Sequence, residues 1–155
     1  MTDLERAVAL FRENNYTVTA VKGEREFTSH KTGISPLSDL LKDDPGALIG
    51  ASVADRVVGG AAAFLAAYGQ AKAVHAGLMS ARGAEVLERY NISYDCDRKT
   101  DIILARDGVS VCPFERLCLS IDDPAEAFAA ITARIAVLRA QKAQRAEEAR
   151  SEEGK

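Results

Sequence analysis

From Ala47 onward the chain alternates short apolar runs with helix-forming segments, and this alternation restricts the fold more than any other feature. Ala47–Ala51 reads as a strand, followed by a glycine-bearing helix that opens at Ser52 and ends at Gly69. A strand over Ala73–Leu78, a helix near Ala81–Tyr90 and a strand over Ile92–Tyr94 complete the pattern. Such an order predicts parallel strands covered by helices. Upstream, Thr2 and Glu5 form a capping box ahead of Leu4, Ala7, Val8 and Phe11, so a first helix should run to about Asn14. Tyr16–Val21 and Arg25–Ser29 flank a glycine turn and read as an antiparallel hairpin. Ser35 before Pro36 is the expected N-cap of a short helix through Leu41.

Ile102–Ala105 fits either a short strand or a helical turn. Asp123-Pro124-Ala125-Glu126 is a helix start, and Phe128, Ile131, Ile135 and Leu138 then mark one apolar stripe. The stripe stops there. One domain is therefore expected over residues 1–140, with 141–155 as a charged helical extension that frays into solvent.

With 155 residues, 47% of them hydrophobic, the chain can bury a core without disulfide or metal. Net charge −3 and the lack of a Lys/Arg cluster argue against a nucleic-acid partner. The longest apolar run, Gly59 to Gly69, is too short to span a bilayer, so no membrane association is expected. The opening residues lack the basic region and apolar block of a secretory signal, and the three cysteines show no paired spacing. Both features point to the cytoplasm.

Two motifs stand out. The predicted helix at Ser52 carries Asp55 and Arg56 in its first turn and Gly59-Gly60 in its second, where interior glycines cost about 1 kcal/mol each. Close approach of a backbone or a bound molecule explains them. Asp55 fits a capping box with Ser52, whereas Arg56 opposes the helix dipole and calls for an acidic partner or ligand. Met79, Ser80 and Arg82, after the next strand, are candidate neighbours, with Ser80 also a natural N-cap. In Cys112-Pro113-Phe114-Glu115 a thiol precedes a helical proline; it is either a nucleophile or a small residue at a turn whose Glu115 caps the helix.

The segments Ala54–Ala63, His75–Ser80 and Cys112–Glu115 resemble the domain of unknown function 1893 family, over about residues 4 to 138. The resemblance implies a cytidine deaminase-like fold: a three-layer α/β/α sandwich whose mixed sheet has an N-terminal antiparallel hairpin and then parallel strands. No established reaction comes with it. A zinc deaminase needs His or Cys with Glu at one helix start and paired cysteines at the next. The topologically corresponding places, Val53–Val57 and Ser80–Ala84, offer Asp55 and no cysteine. His75 in an apolar strand reads as structural and His30 stands alone, so no metal and no cofactor are expected.

The leading expectation is a zinc-free deaminase-like domain that binds a small anionic or nucleotide-like molecule. Asp55 and Cys112 are its candidate catalytic groups, and Arg56, Gly59, Gly60, Ser80, Arg82 and Glu115 its candidate ligand-binding residues. The alternatives are a cysteine-dependent enzyme or sulfur carrier using Cys112, and a non-catalytic assembly module. Deaminase-like domains commonly form dimers or tetramers, so the resemblance also implies a homo-oligomer.

Overall fold

A computed structural model describes residues 1–154. Helix α1 (Asp3–Glu13) is capped by Thr2, whose hydroxyl accepts from the Glu5 amide. Strands β1 (Val18–Lys22) and β2 (Arg25–Ser29) form the expected hairpin around Gly23, which takes φ 58°. Helix α2 (Ser35–Asp43) follows, then β3 (Ser52–Val58), α3 (Gly60–Tyr68), β4 (Ala73–Ser80), α4 (Ala81–Arg89) and β5 (Ser93–Thr100). The short α5 (Pro113–Cys118) and the long α6 (Pro124–Glu153) end the chain.

The five strands make one mixed sheet in the order β2-β1-β3-β4-β5. The first two pairings, β2 with β1 and β1 with β3, are antiparallel; β3, β4 and β5 run parallel. Alternation along β1 divides its faces. Val18 and Ala20 join the main core with Phe64, Leu65 and Ile131, while Val21 packs with Ala7 of α1. On the α1 side the buried Thr19 hydroxyl donates to the Ala7 carbonyl at 2.7 Å. Helix α1 thus covers one face, and α2 with α3 to α6 build the core on the other.

The principal correction concerns Ser52–Ala63. Its first half is the central strand rather than a helix, and Ala47–Ala51 is a turn region leading into it. Ser52, Val53 and Ala54 are buried between β1 and β4, where β-branched residues fit and where both backbone edges find ladder partners. The Ser52-to-Asp55 spacing imitates a capping box without being one. The helix starts at Gly60, with Gly59 as its cap residue.

Smaller differences have similar causes. Strand β5 extends to Thr100, because an edge strand with one solvated face accepts the charged run Asp95 to Lys99. Ile34, not Ser35, occupies the cap position of α2. Ile102–Ala105 contributes a single bridge, Leu104 to Val111, at the base of a small loop. Helix α6 is continuous through Glu153 and exposed from residue 136 on, with Arg139 tied to Asp39 of α2 at 2.8 Å. The last residue of the expected extension, Lys155, lies outside the described residues. No helix of the described residues is long and apolar enough to cross a membrane.

Strands β3 and β4 approach closely where the site lies. At Gly77 an added Cβ would stand 2.7 Å from the Arg56 carbonyl oxygen, so only glycine fits there. Beyond that point the inward set changes parity, and Val53 and Val58 reach the same core.

Candidate functional site

The parallel strand β3 delivers the chain to the entrance of α3, and the Glu115 carboxylate meets it there. Glu115 is 2% exposed. Its Oε1 accepts from the Gly60 amide and its Oε2 from the Ile103 amide, both at 2.8 Å. A carboxylate on a helix N-terminus satisfies an otherwise orphaned donor and opposes the positive end of the dipole. This contact accounts for half of the glycine pair: a Cβ at Gly59 would lie 2.9 Å from Glu115 Oε1. A Cβ at Gly60 would meet Arg82 Cγ at 2.9 Å and Cys118 Cβ at 3.1 Å. The close approach expected of the glycines is therefore made by the chain's own side chains.

Beside this junction lies a cleft of about 350 Å³. Its walls are mainly apolar, with Ile34, Ala61, Ala62, Ile103, Leu104 and Phe114 contributing. Asp55 projects into it from β3. Burial pushes the Asp55 carboxyl up to about 7 against the smaller opposing effects of nearby backbone amides and the Arg56 charge. Its Oδ1 accepts one long hydrogen bond, from the Val57 amide at 3.4 Å.

The other polar groups of the cleft are largely committed. The Thr17 hydroxyl donates to the Lys31 carbonyl at 2.6 Å, with the Ser29 carbonyl sharing the proton at 2.9 Å. Arg106, on the loop opposite, reaches the Thr32 hydroxyl across the mouth at 3.5 Å. Arg56 is exposed, and one of its guanidinium nitrogens contacts Asn15 Oδ1 at 3.3 Å. Cys112 lines the same wall at the cap position of α5, with its backbone amide donating to the Ile103 carbonyl.

The cleft brings together Asp55, Arg56, Gly59, Cys112 and Glu115 from two separate stretches of sequence. Gly60, Ser80 and Arg82 are not among its walls. Ser80 caps α4, its hydroxyl accepting from the Gly83 amide at 3.1 Å. It also borders a second, more open groove between α4 and β5, with Glu85, Glu88 and Lys99. Arg82 holds the core together: Nε donates to the Cys118 carbonyl, the terminal nitrogens reach the Ile121 carbonyl and Glu85, and the guanidinium lies over Phe64. Cys118 is fully buried, and burial with the nearby Glu115 charge pushes its thiol up to about 11.

Residues that sequence reasoning passed over include Thr17, Thr32, Ile34 and Arg106. Only Arg106 left a signal, as a cation in the Asp- and Gly-containing loop just ahead of Cys112. His75 is buried as expected, but it is not alone. Its Nδ1 lies 2.5 Å from Asp95 Oδ1, and Nε2 stands 3.5 Å from Asp97 Oδ2 on the α1 face of the sheet. Among the described residues no three His, Cys, Asp or Glu side chains form a metal-holding group.

Comparison with curated proteins yields no match. Among solved structures, the chain is similar to the crystal structure of a DUF1893 family protein from Thermotoga maritima, with 32% identity and a TM-score of 0.78. The likeness covers 86% of this chain and 91% of that one. The family profile described as a domain of unknown function, DUF1893, matches residues 6–135. The chain, matched over nearly all of its packed body, belongs to the DUF1893 family.

Proposed function

We propose that this protein is a zinc-free domain of cytidine deaminase-like architecture that binds a small, nucleotide-like molecule in the cleft beside α3. The observation that carries the reading is a carboxyl group, Asp55, set among apolar walls on a parallel strand, in a cleft that reaches past that strand's carboxyl end to Gly59, with its pKa pushed up to about 7. Ligands of open α/β sheets gather at that edge, and perturbed carboxyl groups in clefts cluster at functional sites. The exposed Arg56 and Arg106 at the mouth supply the cations for an anionic part of the ligand.

The residues at the two helix entrances do not fit a catalytic zinc. Helix α3 opens with Gly59, Gly60 and Ala61, and α4 opens with Ser80, Ala81 and the cation Arg82. Glu115, the carboxylate at the α3 entrance, has each oxygen on a backbone amide. Relative to the expectation from sequence, the entrance of α3 moves from Val53–Val57 to Gly59–Ala62, still without His, Cys or Glu.

A thermal-shift screen with nucleosides, nucleotides and simple organic acids tests the reading. A compound that stabilises the protein should lose its effect in Leu104→Trp, where a ring is added at a half-exposed lip of the cleft, and lose part of it in Arg106→Ala. Stabilisation that survives Leu104→Trp would place the ligand elsewhere. A screen with no response would refute binding of this class.

One observation keeps a cysteine-dependent reading in view: Cys112 faces the same cleft as Asp55. Its alkylation rate as a function of pH separates the two. Slow modification with an apparent pKa near the ordinary ~8.5 leaves Cys112 as a wall residue.

A further inference from the structure

An inventory of charge at this cleft is lopsided. The two features that ordinarily attract anions at such an edge are already occupied. The N-terminus of α3 carries the Glu115 carboxylate on the Gly60 amide, and the Arg82 guanidinium is turned to the Cys118 and Ile121 carbonyls, away from the cleft. Arg56 and Arg106 stand at the mouth. What remains at the inner end is a weakly met acceptor: Asp55, with the Val57 amide at 3.4 Å and an Arg56 amide that donates mainly to the Thr17 carbonyl.

From this we propose that the inner end of the cleft takes a planar, donor-bearing cationic group, an amidinium or a protonated amino-heterocycle, which pairs with the Asp55 carboxylate while its ring lies between Ile34 and Phe114. The inference rests on the small-molecule reading above and fixes the chemistry of the part that enters first. A carboxylate with two oxygens matches two parallel N–H donors, and that geometry is worth most where water is excluded. An anion at the same depth would face both Asp55 and Glu115.

Proton linkage follows from the same arrangement. In the free protein the Asp55 carboxyl titrates near 7, so a cation that binds only its ionised form releases a proton at lower pH. The charged and titratable groups facing it are Arg56 on its own strand, Arg106 on the loop, and Glu115 and Cys112 from the α5 side. Between about pH 8.5 and 5.5 the ionised fraction of a group with a pKa of 7 falls about thirtyfold, and affinity should fall with it.

Benzamidine, benzamide and benzoate test this directly, since they share a ring and a planar head and differ in charge. Binding is read from the methyl NMR signals of Ala61, Ala62, Ile103 and Leu104 in the full chain. Benzamidine should shift them at about pH 8.5, bind about thirtyfold more weakly at about pH 5.5, and lose both affinity and pH dependence in Asp55→Asn. Benzamide should bind weakly and benzoate not at all. Benzoate moving the same methyl groups as strongly, or benzamidine binding unchanged in Asp55→Asn, would overturn the inference while leaving the cleft a ligand site. Silence from all three probes would overturn it as well, and the broader reading would then be decided by the nucleoside screen with Leu104→Trp.

Discussion

Glu115 and Asp55 are neighbouring acidic side chains at the same end of the sheet, and they are treated in opposite ways. Glu115 is 2% exposed yet fully met, with one backbone amide on each oxygen. Asp55 keeps an opening onto the cleft but has one long hydrogen bond, and burial pushes its carboxyl up to about 7. The lesson is that partners, more than depth, decide what a carboxyl group is for. A buried acid whose lone pairs are filled by fixed amides becomes a piece of architecture. One that is desolvated without partners stays reactive toward a proton or a ligand.

That contrast can be broken most severely at Glu115. Glu115→Ala should cost about 3 kcal/mol, since it strands the Gly60 and Ile103 amides and leaves a void, and urea denaturation will show it. Next comes the backbone that makes room for the junction. A Cβ at Gly83 would stand 2.6 Å from the Val58 carbonyl oxygen, so Gly83→Ala should cost about 2 kcal/mol by the same measurement.

Asp55→Asn should move stability in the opposite direction and only at higher pH. The folded carboxyl titrates near 7 against an unfolded value of 3.8, so the native state holds the extra proton between them. The corresponding stability is present in full below about pH 4 and is lost as pH rises through about 7. Thermal melts at about pH 8.5 should therefore find the variant more stable by roughly 1–2 kcal/mol, less than the whole shift because the cleft wets the group, and find no gain at about pH 4. The smallest effect belongs to the far end of α6. Removing the exposed residues after Ala140 keeps the Arg139–Asp39 pair and should leave the melting midpoint within about 2 °C.

Much of the fold was legible because its signals are local. Thr2, Ser80 and Asp123 each precede a helix and each accept the amide three residues on, as their spacing indicated. The glycine turn at Gly23 announced the hairpin. The failures share the opposite property. Ser52–Val58 is a strand because β1 and β4 flank it, and nothing within those seven residues reports on neighbours so distant in sequence. The glycine pair did signal a tight approach, yet the approaching group, Glu115, comes from far down the chain. Asp55 and Arg56 stand out in the sequence as residues of a helical first turn; they reach the cleft as strand residues instead, and Arg106 and Thr32 enter it through loops that carry no periodicity.

The cap on α3 also sets a schedule for synthesis. Its carboxylate lies 55 residues beyond the amide it serves. A nascent chain emerging from the ribosome N-terminus first has all five strands in hand before that carboxylate exists. Until then the entrance to its most apolar helix stays open, and a segment that arrives after the whole sheet is the one that seals it.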